Sequence, residues 1–191
     1  MAWITNNTTL GIEDQTNNAL MVWSFFSAQG WTANAVAGML GNMVAESTIN
    51  PGRWEIGQTG NPDAGFGLVQ WTPASKLFSW LSANGYSNGS GEGQCRRIIW
   101  ELNNGEQYYP TSQYPLTFKE FSQSTELPHR LASAFLYNYE RPGDPEATET
   151  YRQNQADYWY EVITGQPVPP YNPPEGSMLP FIFWCKKKQL Y

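Results

Sequence analysis

The sequence predicts a mainly α-helical domain built around one buried helix, and three observations predict it. Glycine and proline cut the chain into short segments with helical apolar spacing, and no stretch alternates long enough for a large sheet. One segment, opening at Thr32 and running to Glu46, is apolar on nearly every side, as a central helix must be. With 191 residues, charged residues at only 15% and 29 aromatic side chains (9 Trp, 11 Tyr, 9 Phe), the chain has a single domain's length and enough apolar surface to exclude disorder for most of it.

The elements follow in order. Residues 12–29 carry Glu13 and Asp14 in a first turn, an apolar edge of Leu20, Trp23 and Phe26, and Gly30 as a C-terminal cap. In the second helix Val36, Met39, Leu40, Met43 and Val44 repeat at helical spacing, while Ala37, Gly38, Gly41 and Ala45 form a small-residue face that lets neighbours approach closely. Thr72-Pro73 reads as a cap with proline at the first helical position, followed by Leu77, Phe78 and Leu81 up to Asn84-Gly85. A further helix is expected from Cys95 to Gly105. Thr117 to Glu120 is a capping box flanked by Leu116 and Phe121, and Leu127, Leu131, Ala134 and Phe135 mark the next helix. Asp144-Pro145 opens the last one, with Tyr151, Tyr158, Trp159, Val162 and Ile163 expected on its buried side before Gly165. The domain is therefore expected over 1–165. A Pro-rich linker follows over 166–177, and an apolar stretch with a basic end over 178–191.

Charge and composition narrow the function. A net charge of −6 is the wrong sign for tracking phosphates, so nucleic acid is not an expected partner. The first residues lack the basic and apolar regions of a secretory signal, and no apolar run reaches the length of about 18 residues that reads as a membrane span. Cys95 and Cys185 lie in unlike surroundings and are expected to be free thiols. His129, the one histidine, excludes His-ligated zinc chemistry and is expected at the surface, so no metal or cofactor is expected.

The chemistry is expected where the second helix ends. Asn42 and Glu46, four residues apart, form its one polar stripe. Glu46 is either a general acid whose charged form is disfavoured by burial, or a structural acid capped by backbone or paired with an arginine such as Arg53. The segment from Asn50 to Trp71 favours the acid: it holds five glycines, two prolines and the aromatics Trp54, Phe66 and Trp71, too long and flexible for a mere connector. It adds the carboxylates Glu55 and Asp63 and ends in Gln70 beside Trp71 and Thr72. A buried acid, further carboxylates, aromatic platforms and amides are what a glycosidase cleft requires, because sugars offer apolar faces to rings and hydroxyls to amides. Asp63 is the best candidate for a second catalytic carboxylate and equally reads as a turn residue; Glu55 shares both readings.

Three ordered motifs carry a resemblance: residues 39–52 (MLGNMVAESTINPG), 65–73 (GFGLVQWTP) and 139–142 (YERP). Over about residues 10–165 the chain resembles the phage tail-associated lysozyme domain, found in tail-tip proteins of phages infecting Gram-positive hosts. The resemblance implies a lysozyme-like α-helical fold with a small β-like region lining the cleft, and cleavage of the β-1,4 bond between N-acetylmuramic acid and N-acetylglucosamine; the alternatives are a lytic transglycosylase using the same acid and a non-catalytic glycan-binding or structural tail-tip module. It aligns Glu46 with the family's catalytic glutamate and the second motif with the cleft wall. The third motif offers Tyr139 or Glu140 to the cleft, although for Glu140 an ion pair with an arginine is the stronger expectation. It further implies a place on the virion tail, with peptidoglycan strands and other tail proteins as partners. For the apolar tail, docking into another tail protein is favoured over weak contact with a membrane.

Overall fold

The computed structural model describes residues 1–170, and the expectations for 171–191, Cys185 among them, lie outside these residues. Seven α-helices run in the order α1 (Ile12–Ala28), α2 (Ala33–Ser47), α3 (Ala74–Ala83), α4 (Gly91–Asn104), α5 (Phe118–Gln123), α6 (Pro128–Phe135) and α7 (Glu146–Thr164), with a π-helical turn, Leu136–Glu140, continuing α6. The fold is mainly α. Among the described residues there is no strand, only isolated antiparallel bridges from Phe66 to Trp54 and to Trp71.

Helix α2 is the axis. Its Thr32 cap accepts a hydrogen bond from the Ala35 amide, and eleven of its fifteen residues are buried. Helices α6 and α7 form its main contacts, with α1 and α5 beside it. Two glycines permit those approaches. A β-carbon on Gly38 would lie 2.8 Å from the Leu131 side chain of α6, and one on Gly41 would lie 2.9 Å from the Ala156 backbone of α7. Phe118, Phe121, Phe135 and Tyr139 pack below, the Phe135 and Tyr139 rings stacked at 4.4 Å.

Four details differ from the sequence reading. In α1 the buried residues are Asn18, Ala19, Val22 and Phe26, while Leu20 and Trp23 are only half-buried. Pro73 is the residue before α3 rather than its first. Helix α4 starts a turn earlier than Cys95, at Gly91, because the Ser90 side chain caps two glycine-rich residues that carry no apolar signal. In α7 Tyr151 and Tyr158 are exposed, and the buried residues are Arg152, Ala156, Trp159 and Ile163. Those four positions have heptad-like spacing, so an arginine occupies a core position. Cys95 is a buried free thiol whose pKa burial pushes up, and His129 sits half-exposed against Asp157 at 3.0 Å.

Candidate active site

The end of α2 is fixed by backbone strain held in place. Thr48 and Ile49 adopt left-handed conformations, φ 59° and 57°, unusual for two β-branched residues and costing of order 1 kcal/mol each. Neighbouring groups over-determine the turn. Asn18 donates to the Ile49 carbonyl at 2.9 Å, Thr48 accepts from the Leu10 amide at 3.0 Å, and Ser47 donates to the Leu68 carbonyl at 2.9 Å. The last turn of α2 is thus tied to the N-terminal arm and to the loop that follows, which sets where Glu46 points.

Glu46 lines a cleft of 490 Å³ whose other walls include Trp54, Glu55, Gln70, Thr72 and Glu140. Its partner is Arg152 of α7, not Arg53. The guanidinium donates at 2.6 Å to Glu46, at 3.0 Å to the Asn42 side-chain oxygen and at 3.0 Å to the Thr148 hydroxyl. Arg152 is nearly sealed from solvent, with its side chain 6% exposed against 20% for Glu46. Arg53 instead donates to Thr9 on the N-terminal arm. Asn42 is fully buried: its amide donates to the Gly38 and Ala132 carbonyls, so it joins α2, α6 and α7 and does not line the cleft.

Glu140 enters from the π-helical turn, whose Arg141 amide bonds the Leu136 carbonyl at 2.8 Å. The expected ion pair with an arginine is not formed: its Oε1 is buried and has no hydrogen-bond partner. Burial and then the charge of Glu46 push the Glu140 carboxyl well above the usual carboxylate range, with Arg152 opposing. Tyr139, one residue earlier, points the other way and donates at 2.6 Å to Glu101, which also accepts from Trp71 and Arg97 at 2.9 Å.

The loop wall is organised differently. Gln70 is left-handed, φ 50°, and its amide donates to the Arg53 and Gly67 carbonyls. The buried Gln94 of α4 accepts from the Leu68 amide and donates to the Pro51 carbonyl, holding the loop against the helices. Glu55 accepts from the Gly65 amide at 3.0 Å and faces the cleft. Trp54 stands over Phe66 and Phe78, centroids at 4.8 and 5.5 Å, with its backbone amide held by Asn7. Phe66 is buried beneath it, and Trp71 faces a second cavity rather than the cleft. Asp63 is exposed on a turn and does not line the cleft.

The sequence reading missed Arg152, Glu101 and Gln94. Arg152 was findable, as a charge within the apolar spacing of α7; Gln94 and Glu101 carry no such signal.

The buried central helix thus ends in a carboxylate beneath a cleft that a glycine-rich loop closes. The phage tail lysozyme family matches residues 17–163, and the chain belongs to that family. It is 45% identical over 160 residues to morphogenesis protein 1 of Bacillus phage B103, an alignment that covers 84% of this chain and 43% of that protein. The chain thus spans under half the length of this relative.

Proposed function

We propose that this chain is a peptidoglycan muramidase carried on a phage tail, in which Glu46 protonates the glycosidic oxygen between N-acetylmuramic acid and N-acetylglucosamine. What supports this reading is one cleft with three carboxyls on its wall: Glu46 paired to a buried guanidinium, Glu140 with its Oε1 buried and unpartnered, and Glu55 on the loop side. Burial and the neighbouring charge of Glu46 favour the neutral form of Glu140, whose Oε1 is buried. Glu46 keeps the solvent-facing position. When a glycan fills the cleft and expels water, the proton held by Glu140 is relayed through Glu46 to the leaving oxygen. Water captures the oxocarbenium-like sugar from the loop side and gives its proton to Glu55, which stands there, while the acid regains a proton from solvent. Trp54 supplies a ring face and Gln70 and Thr72 the polar contacts. Peptidoglycan opening at the host wall, with other tail proteins as partners, is the biological role that goes with this chemistry.

A second reading is favoured by the unpartnered Oε1: Glu140 itself donates, and the Glu46 carboxylate stabilises the developing positive charge. Lysis of purified cell walls by wild type, Glu46→Gln and Glu140→Gln separates them. Glu46→Gln is expected to lose about 10²–10⁴-fold in rate with its melting transition retained, and Glu140→Gln to lose less. A larger loss in Glu140→Gln exchanges the roles, and a Glu46→Gln protein keeping more than about a tenth of the activity moves the acid elsewhere. Mass spectrometry of the products distinguishes hydrolysis, which leaves reducing ends, from transglycosylation, which leaves 1,6-anhydro ends.

A further inference from the structure

The cleft continues past Glu140. A second cavity of 410 Å³ shares Val69, Gln70, Thr72 and Glu140 with it, and its far wall brings Lys76 from α3, Arg97 from α4 and Arg141 from the end of the π-helical turn. Arg97 is compensated, 2.9 Å from Glu101. Among the described residues no carboxylate lies within 4.0 Å of Lys76 or Arg141. Arg141 is nevertheless held still: it donates to the Gln107 and Asn138 carbonyls and lies 4.8 Å from the Tyr109 ring centroid. In a chain of net charge −6, two uncompensated cations facing one cavity run against the average.

The backbone points to the same place. Among the described residues five non-glycine residues are left-handed, and three of them, Gln70 (φ 50°), Gln107 (φ 64°) and Arg141 (φ 49°), line this cavity. Such conformations persist only where the surroundings enforce them, and they concentrate where ligands are clamped. Here Gln107 is fixed by its amide donating to the Tyr139 carbonyl at 3.1 Å.

We propose that this second cavity binds a carboxylate of the peptide stem attached to the muramoyl sugar, with Lys76 and Arg141 as the recognising cations; the proposal rests on the muramidase reading of the cleft. The occupant must branch from whatever the cleft holds, because Gln70, Thr72 and Glu140 belong to both spaces. A peptide matches the lining: amides and a hydroxyl from Gln70, Gln107 and Thr72 for its peptide groups, and two separate cations for its carboxylates. Burial favours the neutral form of Glu140, which limits its opposition to an anion.

The test compares the full chain acting on glycan strands with stems intact and on the same strands after an amidase has removed the stems. Wild type is expected to favour stem-bearing strands by about tenfold in kcat/KM. Lys76 is exposed, so Lys76→Glu is expected to fold, and it should collapse that preference towards one through KM. Lys76→Arg should restore it, and converting the stem carboxylates to amides should reproduce the loss with wild type. Equal cleavage of both substrates by wild type, or an equal loss on both in Lys76→Glu, overturns the stem assignment while leaving the muramidase reading standing. A preference that vanishes on removing wall phosphate polymers rather than stems assigns the cavity to phosphate instead. Failure to cleave either substrate overturns both readings.

Discussion

The two walls of the cleft are built on different physical terms. The helical wall, α2 against α6 and α7, is close-packed, with Gly38 and Gly41 removing the side chains that would hold the helices apart and with Arg152, Asn42 and Glu46 joined by hydrogen bonds of 2.6–3.0 Å. The loop wall over 50–73 has no helix-on-helix packing; its Phe66, Leu68, Val69 and Trp71 are buried in the core, and its backbone is held by the amide side chains of Asn7, Gln70 and Gln94. The acid is thereby placed by packed helices and the contact surface by hydrogen bonds to loop backbone. A proton donor misplaced by an ångström loses rate steeply, whereas a platform for sugar rings tolerates small shifts.

This contrast breaks if equivalent changes on the two walls cost the same. Arg152→Met removes the cation from a buried pair and strands Glu46 and the Asn42 oxygen, so a stability loss of about 3 kcal/mol is expected by urea denaturation. Arg53→Met on the loop wall removes one bond to Thr9 at the surface and should fall within about 0.5 kcal/mol of wild type. Similar losses in the two variants would mean that the loop carries as much of the fold as the helices do.

A smaller effect sharpens the electrostatics of the helical wall. Because the folded protein holds Glu140 protonated above the range where an unfolded glutamate ionises, the unfolded state binds fewer protons in that window. The stability that Glu140 contributes is complete below the unfolded pKa of about 4.3 and is lost as pH rises towards the folded value. Glu140→Gln should therefore melt closer to wild type at pH 4 and above it at neutral pH; parallel melting curves across that range would show that Glu140 is ionised in the fold. Smallest are the loop carboxylates. Asp63→Asn is expected to leave kcat unchanged, and Glu55→Gln to lower it measurably, because only Glu55 faces the cleft. Steady-state rates on purified walls decide, and the reverse order would place catalytic water at Asp63.

Much of this was legible from residue order. The small-residue face of α2 announced close helix packing, the Thr117 to Glu120 box announced the start of α5, and Glu46 stood out because an acid interrupts an apolar helix. Such signals are local and depend on spacing along one chain segment. The partner of Glu46 was not legible, because Arg53 lies near it in sequence while Arg152 lies 106 positions away and is delivered by α7. Asn42 shows the same limit: a polar residue one turn before the acid reads as a substrate contact, and packing turned it into a junction between three helices.

The sequence alone determined which segments are helical, which helix is central and which carboxylate closes it, because periodicity, caps and glycine spacing act within a few residues of each other. Only the tertiary structure decided the state of the site. Whether a carboxyl keeps its proton depends on the burial and the charges around it, and the groups that set them for Glu140, namely Glu46, Arg152 and Glu101, come from three different helices.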